Sequence, residues 1–370
     1  MAETLRKEIE DHVTALKHFN AIRKQTAAKA LALFAYNDAI RAVIADAGGI
    51  PPLVALLANG AADGQEQAAR ALGNLAYDLA YDNSANCNAI VEAGGIAALV
   101  ALVDNGDARA KVAAAKALAS LARDDVICAA IADAGGIPPL VALLANGAAD
   151  GQEQAARALG NLAYNNANKV AIADAGGIQA FVALVTNGAA GAQEHAAAAL
   201  RNLAYDNAAN TVAIADAGGI GPLVALVTKG TADGQKWAAD ALLNLTYNNT
   251  ANKVAIVCAG AIKPLVALET KGAPGSRRSA AHALQILDLA DADYISYITR
   301  LKSENASLKR QLPEDDVVDL RDDNLQPPKK KRNLRDEVDE QKQAVLKRVK
   351  QEKVAVEGAR DRAVEDLEDV

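Results

Sequence analysis

The sequence predicts an all-α fold: a solenoid of three-helix repeats, with a partly helical, partly disordered C-terminal tail. Three observations lead to this prediction. A block reading Ala-Gly-Gly-Ile recurs with a period of about 42 residues. Apolar residues between the blocks follow helical spacing, and no strand-like alternation appears. Hydrophobic residues make up 51% of the 370 residues and aromatic residues only 3%, a composition that suits closely stacked helices.

The repeated block defines the units. Its first glycines are 46, 41, 41, 42 and 42 residues apart, and we place the extra residues of the first interval in a loop around 79–82. Six units therefore occupy roughly 37–288, and a partial unit precedes them because Ala30–Tyr36 aligns with Ala71–Tyr77. The copies, of which the last reads Ala-Gly-Ala-Ile, are Ala47–Ile50, Ala93–Ile96, Ala134–Ile137, Ala175–Ile178, Ala217–Ile220 and Ala259–Ile262.

Each unit divides into one short helix and two longer ones. In one unit, Asn168 is expected to cap the first helix and Gly176–Gly177 to end it, because glycine adopts the left-handed conformation at little cost. The second helix is expected to begin at Ile-Pro-Pro in the units at Ile50 and Ile137, because proline is tolerated in the first helical turn. The third helix is expected to begin with a capping box, Asp63 followed by Glu66, and to end near Tyr-Asp or Tyr-Asn.

A single unit cannot bury such wide apolar faces, so neighbouring units must stack. The period and the short-long-long helix pattern resemble the armadillo repeat family. The phrases AGGIPPLVALL and ALGNLAY are similar to those of plant and protist armadillo proteins, such as U-box ubiquitin ligases and vacuolar armadillo proteins, although no U-box-like segment precedes the repeats. The resemblance covers residues 24–288. It implies an armadillo-type, right-handed α-α superhelix with a concave groove that binds other proteins.

The predicted organisation has five parts. They are an N-terminal helical cap (1–23), the armadillo solenoid (24–288), a short zipper-like helix (289–312), an acidic linker with a basic cluster (313–333) and a charged, helix-prone tail (334–370).

The resemblance also places candidate residues in the groove. In armadillo proteins the third helices line it, and one Asn per repeat binds the backbone of an extended peptide, since an amide carries both a donor and an acceptor. The alternative is that these amides only satisfy local turns. The register positions are Leu33, Asn74, Ser120, Asn161, Asn202, Asn244 and Ile286.

One helical turn earlier, the first four positions are basic: Lys29, Arg70, Lys116 and Arg157. Trp237 is the large aromatic residue of the neighbouring row. An import adaptor of the importin-alpha kind would carry Trp at Arg70, Arg157 and Asp240, which disfavours a basic cargo. A basic groove suits an acidic or phosphorylated extended segment, as in beta-catenin-like recognition. The alternative is that these cations form a solvated face.

The tail contains three candidate motifs. A heptad seam over 294–312, with Asn305 at an a position, predicts either a weak homodimer or an intramolecular cap, and without a preceding basic region it does not predict sequence-specific nucleic-acid binding. Val317, Val318 and Leu320 resemble a SUMO-interacting motif. The cations that follow two prolines resemble a nuclear localisation signal read by an import adaptor; they are Lys329, Lys330, Lys331 and Arg332.

Other classes of function are not indicated. The four histidines form no metal-spaced pair, no nucleophile or phosphate-loop motif occurs, and the three cysteines are far apart in apolar helical stretches, which predicts buried structural thiols. We therefore expect no enzyme, cofactor, metal or membrane span. The sequence predicts a nuclear or nucleocytoplasmic scaffold or adaptor. Its alternatives are a nuclear transport receptor and a substrate-recognition partner of a ubiquitin ligase.

Overall fold

The computed structural model describes residues 2–77 and 84–287, in which every regular element is an α-helix. The chain forms two compact units, Met1–Asn244 and Leu245–Val370. The all-α prediction is confirmed for the described residues, whose helices form armadillo-like repeats.

Two helices, α1 (Ala2–His18) and α2 (Ala21–Phe34), precede the complete repeats of the first unit. Each complete repeat then contributes a first, a second and a third helix in that order. They are α3 (Asp38–Asp46), α4 (Ile50–Asn59) and α5 (Ala62–Leu75); α6 (Ser84–Glu92), α7 (Gly95–Asn105) and α8 (Ala108–Leu121); α9 (Asp125–Asp133), α10 (Ile137–Asn146) and α11 (Ala149–Leu162); α12 (Asn166–Asp174), α13 (Gly177–Asn187) and α14 (Ala190–Ala204); and α15 (Ala208–Asp216), α16 (Ile220–Lys229) and α17 (Ala232–Thr246).

The first and second helices of each repeat meet at a sharp bend. Gly176 ends the turn after α12 with a φ of 82°, a conformation that favours glycine. A Cβ atom on the next residue, Gly177, would lie 2.7 Å from the backbone oxygen of Ile172. The two glycines therefore turn the chain by 79° between α12 and α13.

The predicted helix starts need two corrections. Asn165, not Asn168, caps α12, and its side chain accepts from the backbone N–H groups of Ala167 and Asn168. The expected capping box at Asp63 and Glu66 is also wrong, because α5 begins at Ala62 and its N-cap residue makes no side-chain cap. Asp63 instead lies in the first turn, where its charge favours the positive end of the helix dipole.

The third helices form the spine of the first unit, since α2, α5, α8, α11 and α14 pack in sequence. Small residues at their interfaces allow close approach. A Cβ atom on Gly73 would lie 3.1 Å from the Cα atom of Ala117 in the next third helix. The core between them is therefore made of Ala and Leu side chains, as the composition predicted.

The second unit contains the last part of α17, then α18 (Thr250–Cys258), α19 (Ile262–Lys271) and α20 (Pro274–Leu287). Ala261 occupies the place of the second glycine of the turn, and its N–H lies 3.3 Å from the oxygen of Ile256. The helices α18 and α19 meet at 81°.

No single helix among the described residues is long and apolar enough to cross a bilayer. Six first-helix and second-helix pairs meet the length and composition criteria jointly, but each pair is bent by 74° to 84°.

Candidate functional site

The candidate site is the surface that the third helices of the first unit share, which we call the third-helix face. It contains two cavities. The first, of about 340 Å³, lies along α2, α5, α8 and α11, and the second, of about 300 Å³, lies along α11, α14 and the part of α17 before residue 245. Asn74 lines the first cavity, and Asn161 and Asn202 line the second.

The asparagines of the predicted register connect successive third helices. Each donates a side-chain N–H to a backbone oxygen in the last turn of the preceding third helix. Because the last carbonyls of a helix lack intrahelical donors, such bonds satisfy acceptors at the helix end. The oxygen of Arg201 is an exception, since it also accepts from the backbone N–H of Tyr205. The pairs are Asn74 to Ala32, Asn161 to Ala119, Asn202 to Gly160 and Asn244 to Arg201, each at 2.9 Å.

These bonds change both interpretations of the asparagines, as ligand-binding residues and as residues that satisfy local turns. The amides do satisfy backbone groups, but the acceptors belong to the neighbouring repeat and not to a local turn. One of the two N–H donors of each amide is used in this way. Ser120 breaks the series, since its hydroxyl donates to the oxygen of Lys116 in its own helix. Binding of a ligand backbone by these residues stays a prediction.

A second set of asparagines lies inside the first helices, where the sequence predicted Asn168 only as a cap. Asn168 is buried, and its Nδ2 donates to the oxygens of Leu162 and Cys128 at 3.2 and 3.3 Å. Asn210 repeats this pattern with Leu203 at 3.1 Å. The regular interval between Asn168 and Asn210 is the sequence signal that could have found them.

The two lysines of the predicted cation row are exposed in the first cavity. Lys29 and Lys116 both line it, beside Asn74. Asp150 also lines this cavity, so its charge is mixed and not uniformly basic. Gln154 presents a buried Oε1 that has no hydrogen-bond partner among the described residues.

Arg70 differs from the two lysines because it forms an ion pair with a residue of its own helix. Its Nη2 lies 2.7 Å from Oε1 of Glu66, whose side chain is only 4% exposed. Arg109 of α8 approaches the other Glu66 oxygen at 3.6 Å and binds Asp63 at 2.7 Å. This network links two third helices and neutralises a carboxylate that would be costly to bury alone.

The second cavity brings Arg157 close to His195 of α14. Burial lowers the pKa of Arg157 from its usual value, and the neighbouring Arg123 adds to this effect. Burial also lowers the pKa of His195, and Arg157 lowers it further, whereas Glu194 and Glu153 act in the opposite direction. His195 is therefore neutral at pH 7, and a bound anion would favour its protonated form.

Trp237 lies at the far end of the second cavity, where cations surround it. The guanidinium carbon of Arg201 lies 5.7 Å from its ring centroid, and Nζ of Lys236 lies 4.1 Å from it. Glu194 and Asp233 line the same cavity. The surroundings of Trp237 thus combine an aromatic ring with charges of both signs.

A row of tyrosines borders the third-helix face. These tyrosines were not predicted from the sequence as site residues. From the sequence, tyrosine at this position predicted only the end of the third helix. We call it the tyrosine row; its members in the first unit, each three residues after the asparagine register, are Tyr36, Tyr77, Tyr164 and Tyr205. Tyr36 lines the first cavity and Tyr164 the second. The repeated phrase Asn-Leu-Ala-Tyr was the available signal.

The remaining predicted features carry no site within the described residues. No group of three His, Cys, Asp or Glu side chains is arranged to hold a metal there. Cys128 is buried, which raises the pKa of its thiol to about 11, whereas Cys87 and Cys258 are only half-buried. The candidate motifs at 294–312, Val317–Leu320 and Lys329–Arg332 lie outside the described residues.

The three-helix repeats can be compared with known proteins. The armadillo/beta-catenin-like repeat model matches residues 37–77, 83–123, 126–164 and 165–205. The chain belongs to the armadillo repeat family. The comparison of this armadillo chain with curated proteins gives no match.

Solved structures similar to the armadillo chain include engineered proteins. One is 37% identical, covers 65% of this chain and 98% of its own, and superposes with a TM-score of 0.62. Another is 36% identical, covers 83% and 75%, and has a TM-score of 0.71. A designed armadillo repeat protein in complex with the peptide (KR)4 is 25% identical, covers 64% and 99%, and has a TM-score of 0.59.

Proposed function

We propose that this armadillo protein is a scaffold or adaptor whose third-helix face binds an extended, acidic segment of a partner protein. One observation carries the proposal: Lys29 and Lys116 are exposed in one cavity beside Asn74, without an ion pair among the described residues. Exposed cations beside a backbone-binding amide favour a ligand whose side chains are carboxylates or phosphates.

The designed relatives support a peptide as the type of ligand. One of them was solved with the basic peptide (KR)4. In this chain, Lys29, Arg70 and Lys116 line the first cavity, so a peptide of Lys and Arg would be repelled there. The acidic residue Asp150 reduces this positive potential at one point of the wall. We therefore assign the acidic segment mainly to the part of the cavity formed by α2, α5 and α8.

The expected strength of each contact is modest. A hydrogen bond to a charged group typically contributes about 1.5–3 kcal/mol, and solvent in an open cavity moves the value toward the low end. Several such contacts in a row are needed for a stable complex. Binding should therefore weaken as the salt concentration rises.

The direct test is a double charge reversal, Lys29→Glu with Lys116→Glu. The probe is a fluorescein-labelled oligo-aspartate peptide, measured by fluorescence anisotropy. We expect at least a tenfold loss of affinity, equal to about 1.4 kcal/mol. The matched control is Lys7→Glu with Lys17→Glu, which changes the net charge equally on exposed positions of α1 that line neither cavity. Equal affinities of the two double variants would show that net charge, and not the site, governs binding.

The second part of the proposal is a nuclear location. It rests on the sequence of Lys329–Arg332, where four cations follow two prolines. Changing all four to Ala should move a fluorescent fusion of the full chain out of the nucleus. The matched control changes three lysines and one arginine of the following segment to Ala: Lys342, Lys347, Arg348 and Lys350. Unchanged nuclear accumulation of the first variant would contradict this assignment.

A further inference from the structure

We propose that the tyrosine row is a second contact row for the same ligand, so that the bound segment alternates acidic side chains with bulky apolar ones. This inference rests on the proposed function, because it needs an extended segment on the third-helix face. It adds a requirement that the cations and asparagines alone do not impose. An acidic segment without apolar side chains would use only half of the site.

The exposure of large apolar side chains is the first observation. Tyr36 is 66% exposed, and Leu33, in the last turn of α2 three residues earlier, is 61% exposed. Both line the first cavity together with Lys29 and Lys116. Tyr164 is 62% exposed and lines the second cavity beside Asn161. Contiguous apolar surface next to polar groups is typical of binding sites.

The recurrence of this exposure is the second observation. Tyr205 is also 61% exposed, at the register of Tyr36 and Tyr164. Three of the four tyrosines are therefore exposed at one register, while Tyr77 is half-buried and Arg123 stands at this position in the repeat between. The exposed tyrosines add nothing to the buried core, which is made of Ala, Leu, Ile and Val with Phe181. A ligand that covers the rings would remove this apolar surface from water.

Charges near the row decide what kind of side chain it accepts. The guanidinium carbons of Arg41 and Arg123 each lie 5.7 Å from the centroid of the Tyr77 ring. Nζ of Lys169 lies 5.4 Å from the Tyr205 ring. Cations therefore already lie beside the rings of Tyr77 and Tyr205, and the cavities of Tyr36 and Tyr164 contain Lys116 and Arg157, so a cationic ligand side chain is repelled along the row. An uncharged, bulky side chain avoids this repulsion and gains from contact with the rings.

The cations and the tyrosines lie on opposite sides of the asparagines along each third helix. At about 1.5 Å per residue, a cation four residues before Asn74 or Asn161 lies about 6 Å away along the helix axis. The tyrosine follows the asparagine beyond the C-terminal end of the helix, since α5 ends at Leu75 and α11 at Leu162. Successive side chains of an extended chain point to opposite sides. A segment whose backbone follows the asparagines therefore turns one set of side chains to the cations and the other set to the tyrosines.

The test compares three labelled peptides on the full chain by fluorescence anisotropy: alternating Asp-Leu, alternating Asp-Ser and alternating Lys-Leu. We expect Asp-Leu to bind about tenfold more tightly than Asp-Ser, since leucine gains by burial. Lys-Leu should bind more weakly than both. Equal affinities for Asp-Leu and Asp-Ser would overturn the inference.

Variants of the row give an independent measurement. Tyr36→Ala with Tyr164→Ala should lower the affinity for Asp-Leu about tenfold and leave that for Asp-Ser unchanged. The same positions changed to Phe should bind Asp-Leu as the unmodified chain does, since the ring is kept. The control, Val170→Ala with Val212→Ala, removes exposed apolar side chains of first helices that line neither cavity.

The two proposals can fail separately. If the Lys29 and Lys116 reversals weaken both acidic peptides but the tyrosine changes weaken neither, the acidic site stands and the tyrosine row is not part of it. If the lysine reversals change nothing, the acidic site itself is wrong. Because all the substituted side chains are exposed, a far-ultraviolet circular dichroism melt of each variant should match that of the unmodified chain, and a weakened variant whose melt is unchanged has lost contacts and not its fold.

Discussion

The side-chain amide of Asn161 donates a 2.9 Å hydrogen bond to the backbone oxygen of Ala119, 42 residues earlier in the chain. The bond joins α11 to the C-terminal end of α8, where a carbonyl lacks its intrahelical donor. The same relationship recurs between Asn202 and Gly160. The residue that the family resemblance assigns to ligand binding therefore also connects the repeats.

This dual role predicts a stability cost at the asparagine register. Asn161→Ala should lower the free energy of unfolding by about 1–2 kcal/mol, because the oxygen of Ala119 loses its donor. Asn187→Ala, at the exposed end of α13, should change it by less than about 0.5 kcal/mol. Urea denaturation measures both. Equal stability of the two variants would show that the inter-repeat bond contributes nothing.

Charge reversals on the cation row should differ in their effect on stability. From the sequence alone, we expect reversal of Arg70 to leave the melt unchanged. The structure predicts otherwise, since Arg70→Glu would place a second carboxylate beside the buried Glu66. We expect a loss of about 1–3 kcal/mol for Arg70→Glu and less than about 0.5 kcal/mol for Lys116→Glu. Thermal melts of the two variants, side by side, decide this.

Two glycines of one repeat should respond in opposite directions to alanine. Gly218 has a φ of 77°, and a Cβ atom there would meet nothing within 4 Å, so Gly218→Ala adds backbone strain alone. We expect it to cost about 1–2 kcal/mol. Gly221, inside α16, also has open space, and Gly221→Ala should stabilise by about 0.5–1 kcal/mol. Urea titrations with the opposite order of midpoints would contradict the assigned turn.

Stability should also depend on pH through His195. Burial holds its pKa in the folded chain below the ordinary value of 6.5. The unfolded chain therefore takes up a proton as the pH falls through about 6.5, while the folded chain does not. Stability is fully present above the unfolded pKa of about 6.5, falls as the pH drops below it, and stops falling once the pH reaches the lower folded pKa. In the variant His195→Gln, the free energy of unfolding should fall less between pH 7 and the folded pKa of His195. Urea denaturation at each pH measures this.

The pH dependence of ligand binding should also report on His195. A carboxylate in the second cavity would raise the pKa of His195, which faces Arg157, Glu153 and Glu194. Binding of an acidic peptide should therefore take up a proton and strengthen as the pH falls toward 6. In His195→Gln this added pH dependence should disappear, whereas the dependence on salt should remain. An identical pH profile for both chains would place the ligand elsewhere on the face.

By itself, the sequence determined that the chain is a stack of three-helix armadillo repeats. Apolar spacing, the Gly-Gly turns and the proline starts act within a few residues, so they can be read from a linear pattern. The exact residues at which the helices begin were predicted less well from the sequence. Asp63 and Glu66 have the composition of a capping box, yet α5 begins one residue before Asp63, so Asp63 lies within the first turn and does not cap the helix.

Only the tertiary structure decided which of the predicted groove residues are free. Arg70 and Lys116 occupy the same register, but a buried glutamate on its own helix binds Arg70, while Lys116 stays exposed in the cavity. Asn161 finds its acceptor on another repeat. Such pairings join residues on helices that meet through stacking, and their geometry depends on how closely the Ala-rich surfaces approach. That approach distance, and with it the chemistry left open to a ligand, is a property of the packed repeats and not of the repeated sequence.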